Sequence, residues 1–388
     1  MKQRTKADWK QLGVELGDEV DPSRIADGAI IHSGCRISGA ETSIGPDCVI
    51  GAEAPAVIDN CRLGRNVELK GGCFSGAVFF DGANMGSGAH VRPGTILEEE
   101  AGGAHTVGLK QTILLPFVTL GSLINFCDIL MAGGTSRRNH SEVGSSYVHF
   151  NYTPHQDKAT ASLAGDVPNG VFLDQPPIFL GGVGGLMGPA RIAYGSVIAA
   201  GGVCRQDMLE EGMLLVPASP DADLRPYEPG VYRKIDRLVQ NNLNYIGNLI
   251  ALRGWYRYVR VLFVRDDFDR AVVDGGLENL ELVLSERIKR LGELAGKMEY
   301  SIQRLEKQSG IPEGVVESQK RLLAEWPDMK ARLVALDSEP PEDFVEQMSK
   351  LPKDEGYVKA LQSIDPALRE TGRAWLQSIV DGTNVIWS

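Results

Sequence analysis

Polar and titratable side chains gather in one stretch of the chain, between Glu98 and Gln175. Imidazole titrates near neutral pH, so a histidine there could act as a general base, while lysine and arginine could neutralise a phosphate. The stretch therefore predicts a site for an anionic small molecule. Its polar members are Lys110, Asn125, Asp128, Arg137, Arg138, Asn139, His140, His149, Asn151, Tyr152 and His155.

Aliphatic residues recur at about every sixth position on both sides of this stretch, and a small residue lies four places after most of them. A chain that turns a corner every six residues buries one aliphatic side chain per side and fits a small residue beside the corner. The repeat predicts a parallel β-helix. The aliphatic positions are Ile25, Ile31, Ile37, Ile44, Ile50, Val57, Leu63, Leu69, Leu180, Leu186, Ile192 and Ile198, and the small positions include Cys35, Cys48, Cys61 and Cys73, which we expect to be buried and reduced.

The composition changes after Pro226, where glycine becomes rare and the apolar period becomes helical. We expect an N-terminal cap over 1–24, a β-helix over 25–225 with a loop-rich insertion around 98–175, and an α-helical domain over 226–388. Asp274-Gly275-Gly276 predicts a helix break. The heptads that follow predict a helical hairpin over 277–336, or alternatively pairing between chains.

The charge balance of 40 Lys and Arg against 51 Asp and Glu gives a net charge of −11. This excludes a general electrostatic attraction to nucleic acid or to anionic membranes. Apolar runs are interrupted well short of a membrane span, and no cysteine pair has C-x2-C spacing, so we predict a cytoplasmic protein without a metal site.

Three segments resemble motifs of one known family, in the same order along the chain. Val107–Leu114 resembles V-E-M-K-K-x-x-L, Val143–Tyr152 resembles I-G-x-G-x-x-x-x-N-Y, and Pro189–Val203 resembles P-V-x-V-G-x-G-A-x-I-A-A-G-T-x-V. The family is that of the left-handed β-helix hexapeptide-repeat transferases, and the resemblance is nearest to the acetyltransferase domain of N-acetylglucosamine-1-phosphate uridyltransferases. It covers roughly residues 25–205 and extends to UDP-N-acetylglucosamine pyrophosphorylase-like proteins.

The resemblance implies a left-handed coil, a homotrimer, and sites between subunits that bind acetyl-CoA and a sugar phosphate or nucleotide sugar. It places Arg92 and Lys110 at the sugar or its phosphate and Asn151 and Tyr152 at the sugar. The channel for the pantetheine arm of acetyl-CoA would be lined by Ala199 and Ala200.

Two positions depart from the family pattern. Ser122 stands where the family has its catalytic histidine, and Asn125 stands where it has a tyrosine. A serine cannot take a proton from an attacking amine near neutral pH, so the family chemistry needs another imidazole. The candidate catalytic residues are therefore Ser122, His140 and His149, with His155 as a further histidine of the same stretch.

These residues are compatible with three functions. The first is acyl transfer from acetyl-CoA to a phosphorylated or nucleotide-activated amino sugar, and the second is a non-catalytic sugar-nucleotide-binding or scaffold protein that lost the histidine. The third is a metal hydratase of the γ-carbonic anhydrase type using His140, His149 and His155, whose spacing does not match that family. No glycine-rich phosphate-binding loop opens the sequence, so we expect no uridylyl transfer.

Overall fold

The computed structural model describes residues 4–148, 155–156, 158–219, 221–224 and 226–388. Most of its strands are two to four residues long, because the chain turns after each short side of a coil. The strands in chain order are β1 (Glu15–Leu16), β2 (Ile30–Ile31), β3 (Arg36–Ser38), β4 (Ser43–Ile44), β5 (Val49–Ile50), β6 (Ala56–Asp59), β7 (Arg62–Leu63), β8 (Glu68–Leu69), β9 (Gly72–Ser75), β10 (Val78–Phe79), β11 (Asn84–Met85), β12 (Ala89–Val91), β13 (Ile96–Leu97), β14 (Gly102–Gly103), β15 (Val107–Leu114), β16 (Thr119–Leu120), β17 (Ile124–Met131), β18 (Gly134–Ser136), β19 (Asn139–His140), β20 (Glu142–Val143), β21 (Ser146–Val148), β22 (Ser162–Ala164), β23 (Phe179–Leu180), β24 (Gly184–Leu186), β25 (Arg191–Ile192), β26 (Val197–Ile198), β27 (Val203–Cys204) and β28 (Leu214–Leu215).

These strands build a left-handed parallel β-helix with three faces, as the sequence repeat predicts. Face 1 stacks β1, β3, β6, β9, β12, the first half of β15, the first half of β17, β21, β24 and β27. Face 2 stacks β4, β7, β10, β13, the second halves of β15 and β17, β22 and β25. Face 3 is a separate ten-stranded sheet that runs from β2 to β28. All strand pairs between coils are parallel, so every coil donates and accepts backbone hydrogen bonds along the axis.

The core is the continuous aliphatic column inside the coil. Ile37, Ile44, Ile50 and Leu63 are each at most 1% exposed, which confirms the inward positions of the repeat there. Val57 was expected inside, but it points outward and Ile58 is buried in its place. The frame slips by one residue because eight residues separate Ile50 from Ile58 instead of six.

A second slip, further along the chain, affects one of the cysteines. Cys35, Cys48 and Cys61 are buried, and burial raises the pKa of both Cys48 and Cys61 to about 12, so they are inert thiols. The prediction for Cys73 was wrong, because Cys73 is exposed on face 1 and Phe74 is the inward residue. Gly71 has a φ of +155° and Gly72 one of +129°, which shifts the alternation of β9 by one position.

The coil stays regular through the first part of the predicted insertion. Strands β14 to β17 continue the three faces up to Met131, and the additions to the coil follow after it. A small antiparallel hairpin, β18 and β19, leaves the corner between faces 2 and 3. The short helix α2 (Val167–Gly170) leaves the same corner higher up.

The other helices are α1 (Lys6–Gln11), α3 (Asp236–Tyr258), α4 (Asp267–Leu305), α5 (Glu313–Ala335), α6 (Glu342–Ser349), α7 (Tyr357–Gln362) and α8 (Pro366–Asn384). Among the described residues, no helix is both long and apolar enough to cross a membrane. Helix α5 folds back along α4, since Lys320 Nζ lies 3.0 Å from Glu306 and Trp326 packs on Gly292. The helical region packs on face 2, where α4 contacts β4, β7 and β10 and α3 contacts β22.

Helix α4 runs along the corner between faces 1 and 2. Residues four apart on one side of it meet successive levels of this corner, because four residues advance about 6 Å and one coil about 4.8 Å. Asn279 donates to the carbonyl oxygens of Gly76 at 3.0 Å and Thr95 at 3.2 Å, and Val283 packs on Gly94. Arg287 reaches the next corner.

The predicted helix break at Asp274-Gly275-Gly276 was wrong, since α4 is continuous through it. The two glycines serve close packing. A β-carbon on Gly275 would meet the Arg62 side chain at 2.5 Å, and one on Gly276 would meet the Tyr256 ring at 2.3 Å. The glycines let the helix approach the coil and α3 more closely than any other residue would.

Candidate functional site

Four outward-facing positions of face 1 form a row across four successive coils. His90, Gly108, Asn125 and Tyr147 are in register on β12, β15, β17 and β21. Neighbouring strands are about 4.8 Å apart, so the missing side chain at Gly108 leaves a gap between its two neighbours. The gap is part of a surface cleft of about 450 Å³, which we call the face 1 cleft. Its lining is Gly88, His90, Arg92, Thr106, Val107, Gly108, Leu123, Ile124, Asn125 and Tyr147.

A second row beside the cleft carries its positive charge. Lys110 and Cys127 are in register on β15 and β17, and the Arg92 guanidinium lies 3.7 Å from the Cys127 sulfur. Among the described residues that line the cleft there is no carboxylate. Burial raises the pKa of Cys127, and Arg92 and Lys110 oppose this shift, so the thiol stays protonated at neutral pH. The cleft suits an anionic group such as a phosphate.

A histidine and a serine meet at the edge of the cleft. The Ser122 hydroxyl lies 2.8 Å from Nδ1 of His105, which is exposed. Their chain neighbours Leu123 and Thr106 line the cleft. The two residues are 17 positions apart and stack because that is the length of this coil, in which Gly103 pairs with Leu120. The His105 imidazole therefore lies next to Ser122, the residue that stands where the family has its catalytic histidine.

Above this pair, one position of the corner between faces 3 and 1 is a glycine on three successive coils, next to Ser145 and the exposed Val183. The Gly121 amide donates to the Val143 carbonyl oxygen at 2.7 Å, and the Gly144 amide donates to the Leu180 carbonyl oxygen at 2.8 Å. Gly181 packs directly on the backbone of Ala199 and Ala200. This line of glycines, which we call the bare corner, packs closely from coil to coil and extends from Ser122 to the two alanines over three coil spacings, about 14 Å.

The remaining predicted residues lie elsewhere or outside the described part. His140 belongs to the hairpin at the corner between faces 2 and 3 and does not line the face 1 cleft. His149, Asn151 and Tyr152 lie outside the described residues. His155 meets the Tyr227 hydroxyl and accepts a hydrogen bond from the Gly230 amide at 2.6 Å.

The structure brings together Arg92, Lys110, Asn125 and Ser122 from the predicted set and adds His90 and His105. The sequence contained a signal for His105, namely its separation from Ser122 by one coil. That signal needs the length of each coil, which varies along the chain. Among the described residues, no group of three histidine, cysteine or acidic side chains is placed to hold a metal.

The coil is similar in sequence to several curated proteins, although no family model matches the chain. The bifunctional protein GlmU of Thermotoga petrophila is 28% identical over 180 residues, which are 46% of this chain and 36% of that protein. GlmU of Geotalea uraniireducens is 26% identical over 50% of this chain and 38% of its own. GlmU of Shouchella clausii is 25% identical over 55% of this chain and 43% of its own. The chain thus matches well under half of the length of these relatives.

Among solved structures, LpxA from Acinetobacter baumannii matches 47% of this chain and 65% of its own chain at 16% identity. The TM-score is 0.18, which is too low for a comparison of sites. The hexapeptide repeat, the β-helix and the GlmU similarity agree with one another. The coil of this protein is therefore similar to the hexapeptide-repeat transferases near GlmU.

Proposed function

We propose that the protein is an acyltransferase that moves an acetyl group from acetyl-CoA to a phosphorylated or nucleotide-activated amino sugar. The observation that carries the proposal is the His105 and Ser122 pair at the edge of a cationic cleft. We further propose that the protein works as a cytoplasmic homotrimer whose site is completed between subunits, as the similarity to GlmU suggests.

The cleft and the bare corner fit the two substrates. Arg92 and Lys110 would neutralise the phosphate of the acceptor, and Asn125 would hydrogen-bond its hydroxyl or amide groups. The pantetheine arm of acetyl-CoA is long and thin, and it would lie along the corner that ends at Ala199 and Ala200. Both substrates would then meet beside His105.

The reaction needs one proton acceptor. The acceptor amine attacks the thioester carbonyl carbon, a C–N bond forms, the C–S bond breaks, and the sulfur leaves as a thiolate. The His105 imidazole takes the proton from the amine and then returns it to the thiolate. The Ser122 hydroxyl, 2.8 Å from Nδ1, would hold the ring and leave its other nitrogen free to take the proton.

The first experiment is to titrate the protein with acetyl-CoA and glucosamine-1-phosphate by calorimetry and then to follow CoA release. His105→Asn should lower kcat by about 10²-fold or more with little change in affinity, since general-base catalysis contributes about 10²–10⁴-fold. His32→Asn is the matched control. His32 is also exposed after a face 3 strand, four coils below His105, and should leave kcat unchanged.

Two outcomes would redirect the proposal. An unchanged kcat in His105→Asn would remove the base from this residue. Binding of the sugar phosphate or of UDP-N-acetylglucosamine without any acetyl-CoA binding or product would instead favour a non-catalytic sugar-nucleotide-binding protein. Such a protein would bind its ligand in the cationic cleft but would not catalyse acyl transfer.

A further inference from the structure

One buried arginine of the helical region contacts the coil at the corner between faces 1 and 2, close to the face 1 cleft. Arg287 of α4 is 2% exposed. Its Nη2 lies 3.0 Å from Oδ1 of Asp128 and donates to Oε1 of Gln111 at 2.7 Å, while Nη1 donates to the Lys158 carbonyl oxygen at 3.3 Å. A single guanidinium thus ties together two coils of β15 and β17 and the segment that precedes β22.

The two corner residues have an unusual backbone. Gln111 has a φ of +47° and Asp128 a φ of +55°, and both form the corner at which their strands pass from face 1 to face 2. The left-handed region is costly for residues other than glycine, and least costly for asparagine and aspartate. Such conformations persist where the surroundings hold them, and here both side chains end on the same guanidinium.

Each corner residue directly follows a residue of the site. Gln111 follows Lys110, and Asp128 follows Cys127, which contacts Arg92. A change of backbone conformation at Gln111 or Asp128 would rotate the adjoining peptide group. It would thereby redirect the preceding residue, Lys110 or Cys127. The direction in which Lys110 and Cys127 point is therefore coupled to the contacts of Arg287.

We propose that Arg287 is a positioning residue for the face 1 cleft, through which the helical region fixes the geometry of Lys110 and Cys127. The proposal concerns the geometry of the cleft, and its effect on turnover rests on the proposed acyltransferase function. The arginine touches no substrate in this scheme. It acts through the two corners.

The test needs a variant that removes the clamp and leaves no unpaired buried charge. Arg287→Met alone would remove the cation paired with the buried Asp128, and breaking comparable buried pairs on one side costs about 3–5 kcal/mol. The double variant Arg287→Met with Asp128→Asn removes both charges, keeps similar volumes and places asparagine at the positive φ. Arg287→Lys keeps the charge and loses the fork that reaches both corners.

Two thiols report on the cleft without any ligand. Cys127 is partly exposed in the second row beside the cleft. Cys73 is exposed on the same face three coils below. Asp128 raises the pKa of Cys127, so Asp128→Asn alone is the reference for labelling. Iodoacetamide labelling mapped by mass spectrometry should show Cys127 reacting about tenfold faster in the double variant than in Asp128→Asn, because losing a hydrogen bond to a charged group shifts a local opening by about that factor. Equal Cys127 rates in these two variants would overturn the proposal. Cys73 should react at the wild-type rate, which separates a local change from general unfolding.

The matched control removes another arginine that joins the coil to α4. Arg62→Met breaks the contact of Arg62 Nη1 with Glu278 at 2.7 Å, and both acidic partners of Arg62 are more than half exposed. Its Cys127 rate should equal that of the wild type. A wild-type Cys127 rate in the double variant with intact folding would overturn the proposal.

A second readout connects the clamp to function. In the double variant the affinity for glucosamine-1-phosphate, measured by calorimetry, should fall about tenfold or more, and Arg287→Lys should give an intermediate value. If the wild type binds neither this probe nor acetyl-CoA, the acyltransferase proposal fails. The labelling result then still decides whether Arg287 positions the cleft.

Discussion

At the scale of single residues, the candidate site depends on one missing side chain and one histidine. Gly108 has no side chain between His90 and Asn125, which opens the cleft, and His105 supplies the imidazole that Ser122 cannot replace. Both features concern residues on neighbouring coils. Neither residue would be assigned a role from its own segment alone.

Filling the gap at Gly108 should weaken binding without destabilising the fold. A β-carbon there would meet its nearest neighbour, Oδ1 of Asn125, at 3.4 Å, which is ordinary contact. Gly108→Val should therefore change the free energy of unfolding by no more than about 0.5 kcal/mol, as surface substitutions usually do. The branched side chain should occupy the cleft and weaken glucosamine-1-phosphate binding by about tenfold or more.

Calorimetry of binding and denaturant unfolding of the same preparation check this expectation. Gly88 also lines the cleft but has a φ of +76°, so a substitution there would strain the backbone and is a poor control. Full affinity in Gly108→Val would show that the ligand site lies elsewhere on the coil.

At the scale of elements, α4 determines how the helical region meets the coil. Its residues at positions 275, 279, 283 and 287, a glycine, an asparagine, a valine and an arginine, follow the corner between faces 1 and 2. The sequence pattern that predicts a helix from Leu277 is correct for the heptads, but the helix starts ten residues earlier at Asp267. Glycine lowers helix propensity, and close packing against Arg62 and Tyr256 overrides that preference.

Two glycines of α4 should respond in opposite directions to alanine. Gly276→Ala should lower the free energy of unfolding by about 1–3 kcal/mol, since its β-carbon would overlap the buried Tyr256 ring at 2.3 Å. Gly296 is exposed, with nothing within 4 Å of a β-carbon. Gly296→Ala should raise the free energy of unfolding by about 0.5–1 kcal/mol through helix propensity.

Urea unfolding followed by circular dichroism measures both changes. Because the two variants make the same substitution in the same helix, their difference isolates the packing against α3. Equal effects of the two substitutions would mean that α4 does not approach Tyr256 closely.

At the scale of the whole molecule, the described part of the long helices α3 and α4 packs on face 2 of the coil. The described lining of the cleft belongs to face 1 and its corners. A buried polar cluster joins the two halves of the chain. Arg260 lies 2.5 Å from Glu99 and 3.4 Å from Glu98, and the Tyr256 hydroxyl donates to Glu98 at 2.7 Å.

This cluster has two carboxylates and one guanidinium, so it carries excess negative charge when fully ionised. Burial is the main reason why the pKa of Glu99 rises to about 7, against the opposing attraction of Arg260, and the nearby Glu98 and Asp81 raise it further. Burial likewise raises the pKa of Glu98. The folded protein therefore retains a proton at this junction that the unfolded chain has lost.

The sign of the pH dependence follows from the proton count. Between about pH 4.5 and 7 the folded state binds more protons at Glu99 than the unfolded state does, so its contribution to stability is present at the low end and is lost as the pH rises through 7. Glu99→Gln, which cannot ionise, should lack this loss. Relative to the variant, the wild type should become less stable from pH 5 to pH 8.

Denaturant unfolding of both proteins across that pH range provides the measurement. Taking the difference between them cancels the titration of the other carboxylates to a good approximation. Glu346→Gln, an exposed glutamate paired with Lys350 on α6, is the control and should show no such trend. Parallel stability curves for wild type and Glu99→Gln would contradict a retained proton.

The sequence by itself determined the coil and the helical class of the second half. A six-residue repeat of inward aliphatic residues is a local code, because each side of a coil is built by residues next to one another in the chain. Ile37, Ile44, Ile50 and Leu63 are therefore buried where the repeat placed them. Arg92, Lys110, Asn125 and Ser122 could be proposed for the same reason, since the resemblance to the transferases follows the repeat.

The tertiary structure decided which residues meet between coils and which face is covered. The coil length changes along the chain, so the slip that exposes Cys73 and the stacking of His105 on Ser122 cannot be read from one segment. The docking of α4 rests on contacts such as Arg287 with Gln111, which are 176 residues apart. Such pairs carry no local signal, because their contact depends on the summed geometry of every coil between them.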